Sequence, residues 1–453
     1  PRVGIPRILQ FFENFPFWKT FFEMIGWDVV ISDRTSKEIV GESADYVTAE
    51  FCLPIKAAFG HTVNILKKDI DYLFLPSLIS QSYISPNYSN AYNCPYIQSI
   101  PYTLKSGIDF SKTGIKIIEP HLNFQKGRKF VENELVRCLK PFKVKRSTIR
   151  KALDEAEKAD KEFNRELKKI GDKVLSDLDR GKYDKVVVLI GRSYNTCDEG
   201  LNMNIPKKFK DLGVVTLPMD CLRFEEFEGW RDFPNMYWKY GQKILGTADI
   251  IKRHKNLYGV YITNFGCGPD SMINHIFQYS MGELPYLQLE LDEHTADAGV
   301  LTRCEAFLDS IESIKDKEFK IDVPYLSIDK PKLKKLYIPN MCDHAYAVAA
   351  AFRNCGINAE VLPEPTVESS DLGRRFTTGK ECYPCIVTMG DMVRKIQEQD
   401  FDIKNSAFFM PTASGPCRFG QYRCLQKIVL KEFGYDSVPI ISPDSENSYR
   451  DFG

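Results

Sequence analysis

The chain has no surplus of either charge: Lys+Arg and Asp+Glu both number 61, so the formal net charge at pH 7 is zero. Recognition of a nucleic acid or an anionic membrane by bulk charge is thereby disfavoured, because counterion release needs an excess of basic groups. No apolar run reaches the ~20 residues that span a bilayer, and no signal peptide opens the sequence. A disulfide framework is also a poor reading, since the 13 cysteines are odd in number in a chain of 453 residues that lacks an export signal. No Walker loop is present, so any ATP hydrolysis would belong to a partner or to another part of a longer polypeptide. The sequence begins at Pro1 and stops at Gly453 without an initiator Met or a natural-looking tail, and it reads as an excerpt. A cytoplasmic location is expected.

What is present is an ordinary globular composition, 43% hydrophobic and 27% charged, with length for about three domains. Strand-like runs Val3–Pro6, Trp27–Ile31, Tyr72–Pro76 and Ile115–Ile118 alternate with helical stretches, the pattern of a parallel α/β unit over 1–125. Residues 126–180 form a helical linker. Within it 145–180 reads as one long helix, whose stripe of Leu153, Ala156, Phe163, Leu167, Ile170, Val174 and Leu178 is a packing face. A middle α/β domain over 181–330 holds the buried-strand run Val186–Gly191 and the strand Val260–Thr263. Lys315–Lys335 looks like a connector, and a further α/β unit over 331–453 starts at Leu336–Pro339.

The last unit repeats the first. Phe22, Gly26, Cys52, Pro54 and Gly60 correspond to Phe352, Gly356, Cys382, Pro384 and Gly390 at one constant offset of 330. Each unit also carries a later Cys–Pro pair, Cys94-Pro95 and Pro416-Cys417. The expected fold class is therefore α/β: Rossmann-like parallel-sheet domains, with a duplicated N- and C-terminal unit around a middle α/β domain.

Several cysteines sit in Gly/Pro-rich turns, where packing is a weak explanation. Cys267 lies in Asn264-Phe265-Gly266-Cys267-Gly268-Pro269, and Cys342 and Cys417 follow strand-like runs. Turns after parallel strands converge on one sheet edge, and flanking glycines let backbone amides approach an anion. Soft thiolates there suit zinc or iron–sulfur clusters. Zinc is the sharper rival at Cys382-x2-Cys385 with Cys417 and Cys424, but no second compact Cys-x2-Cys knuckle exists and Cys52 has no nearby partner. Cys138, Cys304 and Cys355, in helix-like stretches, read as packed thiols.

These segments resemble a known group. The Cys52-x-Pro-x5-Gly60 segment, Asn93-Cys94-Pro95, Glu381-Cys382-Tyr383-Pro384-Cys385 and Gly415-Pro416-Cys417-Arg418-Phe419-Gly420 are similar to the uncharacterised domain associated with acyl-CoA dehydratase activases. That domain groups with 2-hydroxyacyl-CoA dehydratases, benzoyl-CoA reductases and double-cubane cluster proteins. Leu284–Asp292 and Thr302-Arg303-Cys304-Glu305-Ala306-Phe307 are similar to a dehydratase segment that follows the third cluster cysteine. The resemblance implies three cysteines per 4Fe–4S cubane, Cys52, Cys94 and Cys267, leaving one iron open. It gives Cys382 and Cys417 to a second set; the counterpart of Cys267 is missing there, and Cys342, which follows a strand end on the expected edge, is the expected third ligand, with Cys385 or Cys424 as substitutes. A double-cubane 8Fe–9S arrangement follows if the sets face each other. It further implies an oxygen-sensitive protein of anaerobic metabolism that takes low-potential electrons from an ATP-hydrolysing activase. The substrate would be a small molecule, the reaction reduction or acyl-CoA dehydration, and the assembly a homo-oligomer. The alternatives are a non-catalytic electron relay and a zinc-stabilised module. Gly266-Cys267-Gly268-Pro269 has Pro where an activase has Arg, and no coenzyme A site is legible.

Other polar residues carry weaker expectations. His61, His121 and His344 are either proton donors near the cysteines or ordinary surface histidines. Arg418 and Lys56 are either charge partners of the site or surface ion pairs. Glu290 and Asp292, beside Arg303 and Glu305, read as a structural ion-pair network.

Overall fold

The computed structural model describes residues 1–313 and 335–443. Three four-stranded parallel sheets, each wrapped by helices, account for most of it, together with one two-stranded sheet. The first sheet pairs Asp28–Ile31, Arg2–Ile5, Tyr72–Phe74 and Lys116–Ile118 in that spatial order. The last pairs Asn358–Val361, Lys335–Ile338, Ser406–Phe409 and Ile440–Ile441. The middle sheet runs Val215–Pro218, Val186–Ile190, Leu257–Asn264, Tyr286–Leu291. Taken in chain order within each unit, all three follow second–first–third–fourth. The exception is the short strand Ser77–Ser80, which leaves the first sheet to pair with His121–Asn123. The outer units thus share one topology as the repeat predicts, and the middle domain has it too.

Local chemistry explains the repeat. Gly26 and Gly356 adopt φ of 81° and 80°, a left-handed conformation that favours glycine. Each closes the preceding helix with the same bond pattern, Trp27 N–H to the Phe22 carbonyl and Ile357 N–H to the Phe352 carbonyl. Ser36 and Thr366 cap the next helix through their hydroxyls. Gly60 and Gly390 sit where two helices of a unit cross, each directly against a backbone carbonyl, of Ile39 and Ser369 respectively.

The long helix, Arg146–Asp179, ties the first unit to the middle one. Ile149, Ala152, Leu153 and Ala156 are buried on the first unit's core, while Leu167, Val174 and Leu178 pack on the middle core. Ile170 is exposed, and at this turn Gly171 takes the close approach to Cys221. Lys335 opens a strand, and the rest of the expected connector lies outside the described residues.

Both outer units dock on the middle one. Glu13 receives hydrogen bonds from Tyr240 (2.8 Å) and Lys243 (2.5 Å), and Lys243 also reaches Asp220 at 2.7 Å. Burial favours the neutral acid at Glu13, but Lys239 and Lys243 hold its carboxyl well below the usual range. On the other side Asn235 donates to the Gly420 carbonyl at 2.8 Å and to Thr412 at 2.7 Å, and Gln421 donates to the Asn235 carbonyl at 2.6 Å. A His275–Glu381 hydrogen bond and a Lys380–Glu290 ion pair close the edge. Glu290 is therefore structural, but its partner is Lys380 rather than Arg303, which donates to the Gln288 carbonyl.

Candidate functional site

Every cysteine expected to bind a cluster lies at or just before a helix N-terminus, on the carboxyl edge of its sheet. Cys52 and Cys382 are N-caps of the helices Leu53–Leu66 and Tyr383–Ile396, with Pro54 and Pro384 in the first turn. Cys94 caps Pro95–Gln98, and Cys417 caps the 3-10 turn Arg418–Gln421. All four share an extended backbone, with φ from −70° to −65° and ψ from 141° to 158°. The Cys267 backbone carbonyl accepts the Ser271 N–H at the start of Asp270–Met281, and the Cys342 carbonyl accepts the Ala345 N–H at the start of His344–Asn354. Free helix-terminal amides stabilise negative charge on such thiolates. The shared topology makes the positions equivalent: Cys94, Cys267 and Cys417 each follow the third strand of their unit. Cys52 and Cys382 precede the helix between the second and third strands, where the middle unit has Trp238.

Cys52, Cys94 and Cys267 face one another across the first and middle units, with the buried Arg192 among them. Burial pushes the Cys52 thiol up to about 12, with Cys94 adding to the shift. Burial likewise raises Cys94 and Cys267, and Arg192 opposes both shifts. Arg192 itself follows the strand Val186–Ile190 and pairs with Asp270 at 2.6 Å, both side chains at most 3% exposed. Burial works against the guanidinium charge, but Asp270 and then Cys267 keep it protonated. Thr263 donates to the same Asp270 oxygen at 2.5 Å. Tyr194, 5% exposed, stands within the field of all three thiols and Arg192. Sequence reasoning passed over Arg192, Tyr194 and Asp270. The one available signal was position: Gly191-Arg192 ends a wholly buried strand, where a charged side chain needs a partner.

The second set is organised around two tyrosines. The Cys382 thiol and the Tyr422 hydroxyl are 2.6 Å apart, and Cys385 and Cys417 also act on Tyr422. Tyr237 donates to the Cys417 carbonyl, and Trp238 Nε1 donates to the Pro416 carbonyl at 3.2 Å. Cys385 is fully buried one helical turn from Cys382, and Cys424 is half-buried on the helix Tyr422–Glu432. Cys342 is exposed, with its Sγ 3.5 Å from His344 Nδ1. Arg418 spans the two sets: it donates to Ser271 at 3.1 Å and to the Lys380 carbonyl at 3.2 Å, beside the Cys267 loop. Lys56 is engaged by Glu293 at 2.5 Å and Glu50 at 3.0 Å. Of the thiols read as packing, Cys304 is buried and Cys138 half-buried, whereas Cys355 is exposed because it falls at the helix C-cap.

Among the described residues no three His, Cys, Asp or Glu side chains converge on one metal ion. A single zinc draws each thiolate to about 2.3 Å. That lack of convergence holds for both cysteine sets alike. A polynuclear cluster instead spreads its thiolates over separate irons. For that group the first donor set is chemically suitable: three thiols whose burial disfavours free thiolates, held at helix N-termini beside a fixed cation.

His61 is only 1% exposed, so the surface reading is overturned, and its partners are hydroxyls. Nδ1 lies 2.9 Å from Ser32 Oγ, Nε2 lies 2.9 Å from Thr35 Oγ1, and Thr35 donates to Asp198 at 2.5 Å. Burial, then Arg7, lowers His61 from 6.5 to about 4. The unfolded chain therefore binds the proton more readily. The contribution of His61 to stability is full above pH 6.5 and drains away between pH 6.5 and about 4. It amounts to about 3 kcal/mol by linkage. Urea titrations of the metal-free protein at pH 7.5 and 4.5 should show this loss, and His61→Gln should flatten it. Equal acid sensitivity in both proteins refutes the assignment. His121 pairs with the Tyr102 hydroxyl at 2.8 Å.

No helix among the described residues is long and apolar enough to cross a membrane. A comparison with curated proteins found no match. Residues 2–222 match the family model described as the CoA enzyme activase uncharacterised domain, which fits an activase-associated, 2-hydroxyacyl-CoA dehydratase-like family.

Proposed function

We propose that this chain binds iron–sulfur clusters and takes low-potential electrons from an ATP-hydrolysing activase to reduce a small molecule. The observation that carries the reading is the meeting of Cys52 and Cys94 from one unit with Cys267 from the next, around the buried Arg192. The family description, which names a CoA enzyme activase, supports the choice of partner. In this reading Cys52, Cys94 and Cys267 hold the first cluster. Cys382 and Cys417 hold the second, with the third ligand drawn from Cys342, Cys385 or Cys424. When bound, such a cluster supplies one-electron transfer and, with three thiolates, an iron open to substrate. The chain's own contributions are separable from that chemistry. Arg192 offsets thiolate charge, and helix N-termini orient the sulfurs. Arg418 links the two cysteine loops through Ser271 and the Lys380 carbonyl. Acyl-CoA dehydration is the narrower version of the same reading, and a homo-oligomer is its expected assembly.

Anaerobic purification with iron and sulfide analysis tests it. Iron and sulfide should co-purify, and Cys52→Ala, Cys94→Ala and Cys267→Ala should each lose at least half of the first cluster's iron while Cys138→Ala keeps it. Iron near zero with stoichiometric zinc, or equal iron in all four variants, defeats the proposal. Iron that is reduced by an activase but never reoxidised by a small molecule makes the protein a relay.

A further inference from the structure

A second polar feature lies where the first unit meets the middle one, and no cysteine of the two proposed sets lines it. It is a cleft of about 290 Å³ lined by Arg7, Arg34, Thr35, Cys197, Asp198, Glu199, Gly200 and Asn204. Arg7 follows the strand Arg2–Ile5, Arg34 and Thr35 follow Asp28–Ile31, and Cys197–Gly200 follow Val186–Ile190 through one helical turn. The cleft therefore lies at the carboxyl edge of two parallel sheets, where α/β folds bind ligands.

Its wall is built in advance. Ser32 Oγ accepts the Arg7 backbone N–H at 2.9 Å and contacts His61, which contacts Thr35, which donates to Asp198. The other Asp198 oxygen accepts the Gly200 and Leu201 N–H groups at 2.9 and 3.2 Å. Both oxygens are thus engaged, and Asp198 makes no direct ion pair with Arg7, although their charges still attract. The Arg7 guanidinium packs over the rings of Phe11 and Phe12, 5.0 and 5.7 Å from their centres. Its Nε is buried without a hydrogen-bond partner, and among the described residues no carboxylate pairs with it. A cation stacked on aromatics, with an orphaned buried donor, is a fork waiting for an acceptor. Arg34 stands opposite on the rim, in an exposed 3.4 Å pair with Glu199 that is weak enough to exchange.

We propose that this cleft binds the terminal oxyanion, phosphate or carboxylate, of a small molecule, with Arg7 as the inner clamp and Arg34 as the rim clamp. The volume admits one such group with its first few atoms, so the rest of the ligand would extend into solvent. The proposal does not depend on cluster binding.

Cys197 lines the cleft and serves as the reporter; burial pushes its thiol up to about 12, so its alkylation is read at alkaline pH. The full chain is treated with iodoacetamide at constant ionic strength in chloride, inorganic phosphate or acetate, and alkylation of the Cys197 peptide is read by mass spectrometry. Phosphate or acetate should slow alkylation at least threefold relative to chloride, and the stronger of the two names the ligand class. Arg7→Gln and Arg7→Lys should abolish the protection, the latter because lysine lacks the fork, and Arg34→Gln should weaken the protection severalfold. Protection that is the same in chloride, or that persists in both Arg7 variants, overturns the proposal. The exposed Arg34 variant keeps the test valid if changes at Arg7 disturb the fold.

Discussion

Replacing Asp270 by Asn should lower the unfolding free energy by about 3–5 kcal/mol, because it leaves a buried guanidinium without its counter-charge. Arg192 and Asp270 are both nearly inaccessible, and their 2.6 Å contact joins the end of one middle-domain strand to the helix that follows Cys267. The carboxylate is held ionised although burial favours its neutral form, since Arg192, Thr263 and Tyr261 all act on the charged form. Asparagine preserves the shape but removes the charge. The deficit should appear as a lower urea midpoint with unchanged slope. Pairing Asp270→Asn with Arg192→Met should recover part of the loss, because no uncompensated charge then remains. An unchanged midpoint in Asp270→Asn, or a double variant less stable than the single by the full additive amount, contradicts this account. Cys267 sits three residues before Asp270, so the single variant should also lose first-site iron if the functional proposal is right.

The second large effect is expected at the helix-crossing glycines. A methyl group at Gly60 would overlap the Ile39 carbonyl, and one at Gly390 would overlap the Ser369 carbonyl. Neither carbonyl is the end of a flexible side chain, so the helices must separate. Gly60→Ala and Gly390→Ala should each destabilise by about 3 kcal/mol or more, at or above the usual range for overpacking. Gly299 provides the contrast, since it lies in the helix Asp297–Ser313 with open space where its Cβ would stand. Gly299→Ala should stabilise by about 0.5–1 kcal/mol through helix propensity alone. Melting temperatures that fail to move in opposite directions for Gly60→Ala and Gly299→Ala would refute the close-approach explanation. The Cys-x-Pro-x5-Gly motif thereby acquires two separable roles. Its cysteine and proline start the helix, and its glycine sets how near that helix comes to its neighbour.

Much of this architecture is local and was legible in the residues. Runs such as Val186–Ile190, the proline after Cys52, Cys94 and Cys382, and the left-handed Gly26 and Gly356 act over a few residues, so their patterns survive in a linear reading. The constant offset of 330 exposed the duplicated units because identical backbone demands select identical residues. The exposure of Ile170 and Cys355 was not legible, since a helical period marks a face without saying where its partner ends. Nor was the middle domain's share in the same topology, because its cap position carries Trp238 instead of cysteine. By itself, then, the sequence determined the strands, the capped helices and the cysteines that start them. Only the tertiary structure decided that Arg192 finds Asp270 across 78 positions and that His61 turns to Ser32 and Thr35. Those pairings depend on how three sheets dock, and a single arginine or histidine far from its partner leaves no periodic trace.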